Sequence, residues 1–213
     1  AIFPGGSGPE GGAVIAAYRE FTQHFPQPGW VEHDADEIWE AILQTLVEVI
    51  ARVGATTVAA IGITNQRETV LAWNRRTGHP YGTAIVWQDR RTAARCDQLA
   101  ADGALPRVRE ITGLVLDPYF SGSKVEWLLA NRDIPRDDDL AIGTIDTWLI
   151  WKLTAGAAHV TDPSNASRTM LFDIRSLRWS DEMCSLFGVP VAALPSVLPS
   201  SGRFGLTSDR CGV

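Results

Sequence analysis

Ile61-Gly62-Ile63-Thr64-Asn65-Gln66-Arg67-Glu68-Thr69 passes from apolar residues into a cluster of amides and charges. Val58, Ala59 and Ala60 extend the apolar part upstream, and the run predicts a buried central strand over Thr57–Ile63. A strand ending in Asn65-Gln66-Arg67-Glu68 presents amides and charges where a sheet meets solvent, the usual place for ligand sites in open α/β sheets. Arg67 brings a rigid fork of N–H donors and Glu68 a pair of acceptor oxygens. Side by side they suit a ligand whose neighbouring groups both donate and accept, as the hydroxyls of a polyol or sugar do. The same dipeptide also suits a surface ion pair, which would carry no function.

Downstream segments enlarge the pattern. Tyr81–Thr92 reads Y-G-T-A-I-V-W-Q-D-R-R-T, with Trp87 closing a second short apolar strand. Asp117-Pro118-Tyr119-Phe120-Ser121-Gly122-Ser123-Lys124 leads into an apolar stretch with Val125, Trp127, Leu128 and Leu129. With T-D-P-S-N-A-S-R-T-M-L-F at residues 161–172, these motifs stand in order and without large gaps. Together they resemble the glycerol kinases of the FGGY family of carbohydrate kinases, from about Tyr18 to the C-terminus.

The resemblance implies an α/β, ribonuclease-H/actin-like domain: a mixed sheet flanked by helices, residues 1–213 forming the N-terminal half of a two-domain kinase. It implies glycerol contacts at Arg67, Glu68, Trp87 and Tyr119. Phe120 and Gln66 are added on the chemistry of their positions, Phe120 as an apolar wall and Gln66, like Asp89 and Arg90, as a group that orients the others. Asp162, Asn165 and Ser167 read as turn-formers. ATP and Mg²⁺ are the expected co-substrate and metal of the complete enzyme. Their main ligands and the general base are expected in an ATP-binding C-terminal domain outside this chain, so no catalytic residue is assigned here. Another FGGY sugar or polyol kinase, or a non-catalytic polyol-binding fragment, remains as an alternative.

Composition narrows the field in the same direction. The 213 residues carry a net charge of −6, with 45% hydrophobic and 21% charged residues, ordinary for a globular protein. No dense Lys/Arg cluster points to nucleic acid, and no apolar run is long enough to span a bilayer. Arg90, Arg91 and Arg95 read as a solvated helix face. Cys96, Cys184 and Cys211 are scattered, as are the four histidines, so reduced structural thiols, a cytoplasmic setting and no metal site are expected. Homo-oligomerisation is left open.

Residues 1–12 form a glycine-rich lead without the Gly-Lys-Ser/Thr ending of a phosphate loop, and Ala13–Phe21 reads as a strand. Asp34 and Glu37 read as a capping box before a helix that Gly54 ends. Further strands are expected over Thr69–Trp73 and within Ile142–Leu153, and helices over Arg90–Ala101 and Gly122–Ala130. Trp39, Trp148 and Trp151 read as packing.

Overall fold

The computed structural model describes residues 15–211, so the glycine-rich lead and Ala13 and Val14 lie outside the described residues. The described chain runs β1 (Gln23–His24), β2 (Glu32–His33), α1 (Ala35–Val53), β3 (Val70–Asn74), β4 (Ala84–Ile85), α2 (Ala93–Ala101), α3 (Leu105–Thr112), α4 (Ser121–Asn131), β5 (Leu140–Thr144) and α5 (Ile145–Leu153). It continues through β6 (Val160–Thr161), α6 (Pro163–Ala166), β7 (Phe172–Asp173), β8 (Arg178–Trp179), α7 (Asp181–Leu186) and β9 (Ser196–Val197). The main sheet has the order β1-β2-β4-β3-β5, with antiparallel neighbours. β6 and β9 pair in parallel, so both senses of pairing occur.

β3 shows why the sheet lies between two layers. Val70 and Ala72 point into one apolar cluster with Leu99, Val108, Val125 and Leu128, from α2, α3 and α4. Leu71 and Trp73 point the other way, against Ile38 of α1 and Trp148 and Leu149 of α5. Successive side chains of a strand alternate faces, so an unbroken apolar strand must be covered on both. Trp73 meets Trp148 edge-on at 5.3 Å between ring centroids, the preferred aromatic geometry, and Trp148 and Trp151 are packing residues as read.

α1 starts and stops where the sequence says. Asp34 caps α1, its carboxylate accepting from the N–H groups of Asp36 and Glu37 at 2.8 and 3.0 Å. Glu37 does not complete a capping box: its carboxylate instead accepts from the Thr22 hydroxyl at 2.8 Å, tying the lead-in segment to the helix. Gly54 ends α1 at φ 84°, a conformation that costs other residues more. The expected helix over Arg90–Ala101 begins at Ala93, and that over Gly122–Ala130 spans Ser121–Asn131.

Three expectations are corrected. No strand forms over Thr57–Ile63: Ala55–Thr57 make a single 3₁₀ turn, and the chain then runs outside any ladder to Gln66. An apolar run licenses a strand, but a strand exists only with a hydrogen-bonded neighbour, and none stands beside this segment among the described residues. Ile61 is 37% exposed in consequence. Nor does Ile15–Phe21, the described part of the expected first strand, form one: Ile15 makes only a bridge, and the first described strand is Gln23–His24. Finally, Arg91 is no solvated residue. Its side chain is 1% exposed, its guanidinium lying 3.7 Å from the Trp30 ring centroid and bonding the carboxylates of Asp89 and Glu32 at 2.8 and 2.7 Å.

Candidate polyol-binding site

Arg67 and Glu68 lie in the turn that delivers the chain into β3, not at the end of an incoming strand. Glu68 adopts φ 68°, in the left-handed region that a side chain with a Cβ enters at a cost of about 1–2 kcal/mol. That twist sends the two neighbours apart. Arg67 is exposed and makes no hydrogen bond or ion pair among the described residues, while Glu68 is buried. They do not pair with each other, so the surface-ion-pair reading fails for this dipeptide.

Glu68 pairs instead with Arg168, whose Nε donates to Oε1 at 2.7 Å. Glu68 Oε2 accepts no hydrogen bond among the described residues. The Arg168 guanidinium carbon also lies 5.7 Å from the Tyr119 ring centroid and 4.8 Å from that of Phe120. Trp87 arrives from the neighbouring strand. Val70 pairs with Ile85 in antiparallel register, and the Trp87 N–H donates to the Thr69 hydroxyl at 3.3 Å, which ties the Trp87 backbone to the residue after Glu68. The Trp87 and Tyr119 rings, both half-buried, stand 5.3 Å apart and tilted. The Arg168 guanidinium thus links a buried carboxylate to an aromatic corner.

Ser121, the first residue of α4, donates to the Glu68 carbonyl at 2.9 Å and so locks the loop carrying Tyr119 onto the turn carrying Glu68. Phe120 is 7% exposed and belongs largely to the core, one edge toward Arg168. The Gln66 carbonyl accepts weakly from the Asn65 side chain at 3.4 Å, and the Gln66 side chain is exposed. Asp89 orients other groups than expected: it accepts from Val31 N–H at 2.7 Å and from Arg91. Arg90 is exposed, 3.9 Å from Asp117. Asp162 caps α6 through the Asn165 N–H at 2.8 Å, and Ser167 bonds its own turn, as turn-formers do.

Sequence reasoning missed Arg168 and Asp146. Arg168 is the lone cation of residues 161–172, a signal of a specific partner, but nothing local says which. Asp146, buried at the start of α5, accepts from the Thr161 hydroxyl at 2.6 Å and from the Asn65 amide at 3.4 Å, anchoring the segment that leads to Arg67. Burial raises its pKa, against the pull of its hydroxyl donors. Among the described residues no group of three or more His, Cys, Asp or Glu side chains could hold a metal ion, and no helix is long and apolar enough to cross a membrane.

A profile of the N-terminal domain of the FGGY family of carbohydrate kinases matches residues 9–212. The chain belongs to the FGGY family of carbohydrate kinases. Glycerol kinase from Shewanella frigidimarina is 56% identical over 200 residues, covering 91% of this chain and 40% of the relative. Glycerol kinase from Bacillus velezensis is 52% identical over 206 residues, covering 94% of this chain and 42% of the relative. The crystal structure of Plasmodium falciparum glycerol kinase with ADP superposes with a TM-score of 0.83 at 36% identity, over 91% of this chain and 40% of that one. A gluconate kinase from Lactobacillus acidophilus matches with a TM-score of 0.81 at 18% identity, which shows the shared fold alone. This FGGY domain spans about two fifths of the length of the curated relatives it matches.

Proposed function

We propose that this chain is the polyol-binding part of a glycerol kinase, which transfers the terminal phosphoryl group of ATP to a terminal hydroxyl of glycerol. The observation that carries the reading is the Glu68 carboxylate, buried in a strained turn and paired with Arg168, whose guanidinium lies against the Tyr119 ring beside Trp87. Strain of this kind persists where the surroundings enforce it, and at this place it aims an acceptor that a flat turn would leave in water. Glu68 would accept from neighbouring hydroxyls, Arg67 would donate to their oxygens, and the rings would cover the carbon chain. A substrate lacking a matching hydroxyl would leave a buried polar atom unpaired, at a cost of about 1–3 kcal/mol, which sets the selectivity. The three matches above 30% identity named above are called glycerol kinases, which supports this substrate over a larger sugar.

Phosphoryl transfer is mostly positioning and electrostatics. On this chain the contribution is positioning: one hydroxyl is held facing outward for a phosphoryl donor bound by a C-terminal domain beyond it. Mg²⁺ would come with the ATP, held by its phosphates and one or two carboxylates expected beyond this chain. A cytosolic setting suits three buried free thiols.

The test is glycerol-dependent ADP release by the full-length protein and its Glu68→Gln variant. The amide keeps the shape but replaces an acceptor by a donor, and kcat/KM for glycerol is expected to fall by roughly a hundredfold, about 2.7 kcal/mol. Unchanged glycerol turnover in the variant would sink the site. A lower KM for a pentulose or gluconate than for glycerol would move the substrate assignment within the family.

A further inference from the structure

Lys124 lies in the first turns of α4 with its side chain fully buried. A cation there is at the wrong end of the helix, where the macrodipole favours anions, and burial adds a desolvation cost. Its ammonium is spent on three successive carbonyls of the preceding loop: Pro118, Tyr119 at 2.8 Å and Phe120 at 3.2 Å. An ammonium has one N–H for each of them. The loop is closed from its other side by Asp117, whose carboxylate accepts from the Tyr119 N–H at 2.8 Å. Both peptide groups flanking the Tyr119 side chain are thus held, and the ring stands toward Trp87 and Arg168. Ser121, one residue past this loop, carries the constraint to the Glu68 turn.

We propose that Lys124 is a positioning residue of the polyol site, clamping the Pro118–Phe120 carbonyls so that Tyr119 stands at a fixed place relative to Glu68. This rests on the glycerol kinase reading above. The clamp depends on all three N–H groups. Burial pulls the Lys124 pKa down to about 7, partly opposed by the groups that face it: the Asp89 carboxylate after β4, the Cys96 thiol on α2, the Glu68 carboxylate before β3 and the Asp117 carboxylate in its own loop. Below that pH the ammonium serves every carbonyl. Above it the neutral amine has a lone pair and fewer donors, so one carbonyl is released and the loop slackens.

The experiment measures KM and kcat for glycerol, and KM for ATP, in the full-length protein from about pH 6 to about pH 9, for wild type and Lys124→Met. Wild type should show a glycerol KM that climbs severalfold as pH passes through about 7, with the ATP KM flat. Lys124→Met, equal in length and uncharged, should have a glycerol KM raised on the order of tenfold at the acid end, a smaller change in kcat, and no pH step. A folded Lys124→Met protein with the wild-type glycerol KM, or a wild-type glycerol KM that stays flat across the range, overturns the proposal. If the variant does not fold, the wild-type profile alone decides. A wild-type protein that releases no ADP with glycerol at any pH overturns the glycerol kinase reading, and this inference with it.

Discussion

At the scale of single residues, the site depends on one carboxylate placed where the backbone resists placing it. Glu68 keeps its left-handed conformation because Ser121 holds its carbonyl and Arg168 its side chain. Arg168→Leu is expected to leave that carboxylate without a partner and to destabilise the protein by about 1–3 kcal/mol in urea denaturation. Glu68→Gln should cost less, and a double-mutant cycle should return a coupling of at least about 1 kcal/mol. Additive single effects would show that the 2.7 Å pair is an exposed contact of no consequence. Arg67, Glu68, Trp87 and Tyr119 were candidates in the sequence because their motifs carry them together; the structure sets Trp87 beside Tyr119 and leaves Arg67 exposed and apart from Glu68. Arg168 and Lys124 were not, since each takes its meaning from a backbone fold-back: one meets Glu68 across 100 residues, the other turns onto the loop behind it.

At the scale of elements, the docking of α4 fixes the Tyr119 loop against the Glu68 turn. Gly122 is where α4 and the Thr169 segment touch: its N–H donates to the Thr169 carbonyl at 2.7 Å, and an added Cβ would stand 2.9 Å from that oxygen and 3.2 Å from the Phe187 ring. Gly122→Ala should push the two apart, moving Ser121 off the Glu68 turn and Arg168 off Glu68. The expected outcome is a loss of about 1–3 kcal/mol in stability together with a raised glycerol KM in the full-length protein. A variant with a wild-type denaturation curve and KM would show that the contact gives way easily. The sequence marked α1 by periodicity and its Asp34 and Gly54 ends, and placed β3, α4 and the β5–α5 strand and helix to within a few residues. It misled at Thr57–Ile63, where the run is as apolar as in β3 but pairing, the other half of what makes a strand, is not a property of the segment.

At the scale of the whole molecule, the sheet is stapled by groups that must stay neutral. His159 packs edge-on against Trp73, and its Nε2 lies 3.1 Å from the Ile142 carbonyl of β5, so the neutral ring donates there. Burial, with a smaller push from Arg75, lowers its pKa to about 4 despite that carbonyl. The sign follows from proton counts: between about 6.5 and about 4 the unfolded histidine takes up a proton that the folded one refuses, so stability falls as pH falls. His159 should account for a loss of about 2–3 kcal/mol between pH 7 and pH 4, read as the difference between wild type and His159→Gln in urea midpoints at the two pH values. Equal losses in both proteins would remove His159 from the account.

The 100 residues between Glu68 and Arg168 also set a clock. A ribosome adding about 5–20 residues per second needs on the order of 5–20 s to make that stretch, and all that time the nascent Glu68 has no counter-ion. β3 waits almost as long for β5, because Val70 must find Thr144. Translation speed between those codons, rather than any barrier in the finished chain, would govern when this part of the protein can first hold a ligand.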